Sequence, residues 1–89
     1  MIQALAWAFD VSGVRPDEKL ALLAIADWSD MDGQCFTEQP ILAGRSCMTL
    51  AEFQIVLEHL ERQGLIQRTR RPHPKCGEVM PCILLSARR

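Results

Sequence analysis

An α+β fold is expected for this chain, with three main helices in the first two-thirds and a C-terminal β-hairpin. Three observations predict it. Phe53, Val56, Leu57 and Leu60 recur at the i, i+3, i+4, i+7 spacing of one buried helix face. Thr49 and Glu52, just in front, are the Thr-x-x-Glu of a capping box, in which hydroxyl and carboxylate satisfy the free amides of the first turn. Beyond Gly64 come two short runs, Leu65–Arg71 and Met80–Leu85, separated by Pro72, Pro74 and Gly77, as in a hairpin with a breaker-rich loop.

The elements follow in order. Ile2–Val11 is apolar, carries Trp7 and Phe9, and reads equally as a short helix or a strand. Val11–Arg15, with Ser12 and Gly13, is a loop. Pro16 suits the first helical position, and Asp17 and Glu18 suit the positive end of the helix dipole. Leu20, Leu22, Leu23, Ile25 and Ala26 make that helix apolar on most of its surface, so it is expected at the centre, ending near Asp27–Ser29. Asp30-Met31-Asp32-Gly33 is a turn. It lacks the later ligand positions, including the bidentate Glu, of a calcium loop. Gln34–Thr37 is a candidate third strand, Thr37 is expected to cap a second short helix with Pro40 in its first turn, and Gly44–Cys47 to end it.

The next helix is predicted from near Leu50 to Gln63. Met48 and Phe53 have the spacing of a hydrophobic staple; Gly64 supplies the left-handed residue after the helix, and Leu65 is placed to pack back on Leu60. The hairpin loop is expected to span about nine residues, with Pro81 tolerated on a sheet edge. One domain results, divided into an N-terminal segment 1–15, a helical core 16–64 and a hairpin 65–89.

At 89 residues the chain buries about two-thirds of its unfolded surface, enough for one modest core. With 48% hydrophobic residues it is too apolar to be disordered. No run approaches the ~20 apolar residues of a membrane span and no basic region leads into a signal core, so a cytoplasmic protein is expected. Charge is divided unevenly. Residues 1–65 carry four Lys/Arg against ten Asp/Glu, whereas residues 66–89 carry Arg68, Arg70, Arg71, Lys75, Arg88 and Arg89 against Glu78. An acidic body with a basic end points to an anionic partner for the hairpin.

The four cysteines, Cys35, Cys47, Cys76 and Cys82, are expected as reduced thiols buried like small hydrophobes. His73, Cys76 and Cys82 offer three ligands at irregular spacing without paired Cys-x-x-Cys knuckles, so no metal is expected, and no cofactor. An enzyme is not expected either. There is no phosphate-cradling glycine loop and no paired carboxylates, and Cys47 and His59 lack the support a nucleophile–base pair needs. His59 reads as a helix-surface residue, and Trp7 and Trp28 as packing anchors.

Helix, turn, capped helix, Gly-Leu-Ile and basic strand is the order of a winged helix-turn-helix. The runs KLALLAIADWSDMDGQCF, ILA and MTLAEFQIVLEHLERQGLI resemble the winged helix-turn-helix domain of phage and plasmid replication proteins and related small regulators, over roughly Lys19 to Ile66. The resemblance implies duplex DNA binding, with the capped helix in the major groove and the hairpin, or wing, on the backbone or minor groove. Where that family typically presents Arg, Ser, Thr or Gln, this chain has Leu50, Ala51, Glu52, Gln54, Ile55 and Glu58. Gln54 alone can read an adenine, Glu52 is excused by the capping box, and Glu58 would face phosphate.

Two functions follow as expectations. In the first, Arg68, Arg70, Arg71 and Lys75 of the wing and Arg45 near the turn contact phosphates, with limited base readout from Gln54. Binding is then weak and salt-sensitive unless a homodimer supplies a second half-site. In the second, the scaffold is a protein-interaction module, such as a phage-encoded inhibitor or adaptor of a host enzyme or defence complex. Leu50, Ala51 and Ile55 form its apolar centre, rimmed by Glu52, Glu58 and His59. The same apolar patch would be buried if the segment around Trp7 and Phe9 packed over it.

Overall fold

The computed structural model describes residues 2–86, so Arg88 and Arg89 of the basic C-terminal end lie outside the described residues. Four helices, α1 (Ile2–Asp10), α2 (Pro16–Asp27), α3 (Gln39–Arg45) and α4 (Leu50–Arg62), accompany three strands, β1 (Gln34–Cys35), β2 (Ile66–Pro72) and β3 (Val79–Leu85). The strands form one antiparallel sheet of order β1-β3-β2. The α+β expectation therefore holds, with one helix more than the three foreseen.

That extra helix is the opening segment, whose sequence left helix and strand open. Its C-terminal end is held by a side chain from the next helix. Lys19 Nζ donates to the carbonyls of Ala8 and Phe9, each at 2.8 Å, and to that of Val11. A cation on the last carbonyls satisfies them and complements the negative end of the dipole. Ala4 and Ala8 are buried and Trp7 packs against the core.

Helix α2 is central as expected, packing against α1, α3 and α4. Ala21, Leu22, Ile25 and Ala26 are buried, but Leu20 is exposed. A polar residue is buried as well. Glu18 accepts from the Arg15 N–H at 2.9 Å and from Gln63 Nε2 at 3.2 Å, and its Oε2 lies 3.4 Å from His59 Nδ1. This carboxylate ties the start of α2 to the end of α4. The following turn closes through Gly33 N–H to Asp30 O at 3.0 Å, while Asp30 Oδ1 accepts from the amides of Asp32 and Gln34.

Two expectations about α3 are corrected. Glu38, not Thr37, is the N-cap residue, with Pro40 in the first turn. The helix also runs through Gly44 to Arg45, because burial of Leu42 and Ala43 offsets the ~1 kcal/mol propensity cost of a helical glycine. The left-handed residue that ends it is Cys47, at φ 59°. Met48 N–H donates to Ala43 O at 3.0 Å and Cys47 N–H to Gly44 O at 3.2 Å. The end of α4 repeats this pattern, Leu65 N–H to Leu60 O at 3.1 Å and Gly64 N–H to Glu61 O at 3.0 Å, around Gly64 at φ 76°. Both are Schellman motifs.

In the sheet, Ile66, Ile83, Leu85 and Cys35 face the helices and join Phe53, Leu57 and Leu60 in the core. The hairpin is longer and its loop shorter than expected. Pro72 pairs with Val79 and the His73 N–H donates to Glu78 O at 2.8 Å, leaving His73–Glu78 as the loop. Strand β2 is an edge. Its Arg68 N–H donates sideways to Glu61 Oε2 at 3.3 Å, away from β3, and Pro72 at its end has no N–H. Pro81 sits in the central strand, paired with Arg70, at a level β1 does not reach. There β3 behaves as an edge and tolerates the missing donor. Among the described residues no helix is long and apolar enough to cross a membrane.

Candidate functional site

Two surfaces carry the residues singled out above: the outer face of α4 and the hairpin. The start of α4 is fixed by the capping box. Thr49 Oγ1 accepts from the Glu52 N–H at 3.1 Å and Glu52 Oε1 accepts from the Thr49 N–H at 2.8 Å, so the Glu52 carboxylate is turned back onto the helix. Leu50, Ala51, Gln54, Ile55 and Glu58 are all exposed, Leu50 at 40% and Ile55 at 55%. The N-terminal segment does not cover them. It packs on α2, and Phe9 is itself 65% exposed.

Gln54 Nε2 donates to Gln39 Oε1 at 3.3 Å, across the α3–α4 pair. The four residues Ser46–Thr49 join the two helices, a length suited to a tight turn between packed helices. His59 is only half-exposed and is engaged with Glu18. His59 thus stays on the helix surface, but its ring meets a buried carboxylate at the α2–α4 seam, a contact that no local spacing announces.

The cations divide into two groups. Arg45 and Arg68 are held by acids of the body. Arg45 Nη2 lies 3.3 Å from Asp27 Oδ2, with its guanidinium carbon 5.2 Å from the centre of the Trp28 ring. Arg68 donates to Glu61 Oε1 through Nε at 3.1 Å and Nη2 at 2.9 Å. Those hydrogen bonds hold the Glu61 carboxyl below its ordinary pKa. Arg70, Arg71 and Lys75, farther out, are exposed and make no ion pair among the described residues. Arg70 Nη2 donates to the Val79 carbonyl at 3.3 Å.

Trp28 is not the packing anchor expected. It caps the C-terminal end of α2 and is 46% exposed. The cysteines also split: Cys35 and Cys82 are buried and Cys47 and Cys76 exposed, all four free. Burial pushes the Cys35 and Cys82 thiols above their ordinary pKa, which keeps them protonated. No three or more His, Cys, Asp or Glu among the described residues are grouped to hold a metal ion. Comparison of the chain with protein-family models, with curated proteins and with solved structures gives no match.

Proposed function

We propose that this protein is a winged helix-turn-helix that binds duplex DNA mainly through its hairpin. The observation that carries the reading is the set of three exposed cations, Arg70, Arg71 and Lys75, which make no ion pair among the described residues, in the hairpin of an otherwise acidic body. The tight turn between α3 and α4, with α4 presented to solvent, supports the scaffold. The acidic and apolar face of α4 supports only weak base readout. Contacts to phosphate then dominate, and three of them give a slope of log affinity against log salt of about −2.7.

Fluorescence anisotropy of a labelled duplex of about 25 base pairs, titrated at several salt concentrations, tests this. An Arg70→Gln/Arg71→Gln double variant is expected to weaken binding and to flatten the slope by about 1.8. Its stability should stay within about 0.5 kcal/mol of the parent, since both side chains are exposed. Unchanged affinity and slope in that variant would remove the hairpin from the interface.

A second reading rests on Leu50 and Ile55, whose exposure between Glu52 and Glu58 is more like the centre of a protein interface than a DNA-contacting face. No duplex binding by the parent protein at low salt would favour a protein partner on α4.

A further inference from the structure

The turn after α2, the segment around Phe36 and the hairpin loop line an open cleft of about 500 Å³. Trp28, Phe36, His73, Pro74 and Lys75 line it, with Asp30 at one side. An aromatic ring that is 46% exposed at the end of a helix leaves apolar area in water that a ligand can cover.

The cleft is built from restrained parts. Arg45 stacks on Trp28 and is itself anchored to Asp27, so the indole is braced by a cation. On the hairpin side, the His73 ring lies 4.8 Å from that of Phe36, tilted by 51°, and its Nδ1 accepts from the Lys75 N–H at 3.1 Å. The Asp30 carboxylate is turned into its own turn, accepting from the Asp32 and Gln34 amides at 2.9 Å each and from Gln34 Nε2 at 3.2 Å. What the cleft offers is a π surface bordered by one cation, Lys75.

We infer that this cleft binds single-stranded nucleic acid, one unpaired base stacking on Trp28 while its phosphate meets Lys75. Every base has a π face, so stacking on an aromatic side chain tolerates any sequence, and a bordering cation tracks the backbone. A paired base is already stacked inside its helix and cannot offer that face. An aromatic groove with a proline beside it also suits a proline-rich peptide, but Lys75, which makes no ion pair among the described residues while the Asp30 carboxylate is engaged by its own turn, favours an anionic chain. Lys75 would serve both sites, but Trp28 lines this cleft and Arg70 and Arg71 do not, so substitutions at those positions separate the two kinds of binding.

The probe is a labelled oligothymidylate of about ten nucleotides, within the ~4–16 nucleotides that single-strand sites occupy. Anisotropy should show Trp28→Ala weakening its binding by about tenfold or more, with Trp28→Phe retaining most of the affinity. In a Trp7→Phe background, where Trp28 is the only indole, the oligonucleotide should quench the fluorescence. The Arg70→Gln/Arg71→Gln variant should keep that quenching even where duplex binding is lost, which distinguishes failure of one reading from failure of the other. Equal oligonucleotide affinity in folded Trp28→Ala, or quenching by a proline-rich peptide and not by the oligonucleotide, would overturn the inference.

Discussion

The two ends of α4 are terminated with equal care and yet held very differently. Its C-terminal end is bound into the body on two sides. Glu18 reaches it through Gln63 and His59, and Glu61 reaches across to Arg68 of β2. Its N-terminal end follows a residue in left-handed backbone, Cys47, and presents Leu50, Ala51 and Ile55 to solvent. One end is scaffold and the other is display. Under either function proposed above, α4 would have its geometry fixed at the end away from the exposed residues.

Removing the anchor should have the largest effect. Glu18→Ala removes the buried carboxylate that accepts part-buried hydrogen bonds from the Arg15 amide and the Gln63 side chain, an expected loss of about 0.5–1.5 kcal/mol for each bond. For a domain of this size each kcal/mol moves the melting midpoint by about 4–8 °C, so a thermal melt resolves it. No change in melting would mean that the C-terminal end is held by apolar packing alone.

The N-terminal end should respond in the opposite direction. Cys47→Gly relieves a left-handed cost of about 1–2 kcal/mol while adding about 0.5–1 kcal/mol of unfolded-chain entropy. A net gain of about 0.5–1 kcal/mol in urea unfolding is expected, and a loss would show that the Cys47 side chain makes a stabilising contact.

The smallest effect concerns Glu61. Because Arg68 lowers its pKa in the folded state, the pair contributes fully above the ordinary glutamate range. That contribution fades as pH falls through the depressed folded value. An NMR titration should place the Glu61 midpoint below that of an unperturbed glutamate, and Arg68→Gln should return it. A midpoint unmoved by Arg68→Gln would assign the shift elsewhere.

How much of this was legible beforehand depended on range in sequence. The capping box, the staple spacing and Gly64 lie within one turn of what they control, so α4 was readable to within a residue. The start of α3 was not, since Thr37 has the side chain a cap favours, whereas the helix starts one residue later behind Glu38, which makes no side-chain cap hydrogen bond. Its end misled for a related reason: Gly44 looked like the stop, whereas the backbone reversal falls on Cys47, a residue with no preference for it. The candidate site was harder still. Arg45 with Asp27 and Arg68 with Glu61 are pairings across elements, and composition counts all ten Lys and Arg as equally available. Trp28 was assigned to the interior from residue type, but its place at the end of α2 puts it at the surface.

The hydrogen bond from the Arg68 amide to Glu61 has a consequence for how copies of the protein behave at high concentration. An edge strand with free outward donors is a template on which another chain can add a strand. Along β2 outward amides alternate with inward ones. The amide of Arg68 is already taken by Glu61 and the position at Pro72 has none to give, which leaves Arg70 between two blocked sites and next to Arg71. Stacking a second hairpin here would have to break an ion pair and bring arginines together. The contact that withholds one cation from a partner is thus also a guard against fibre formation.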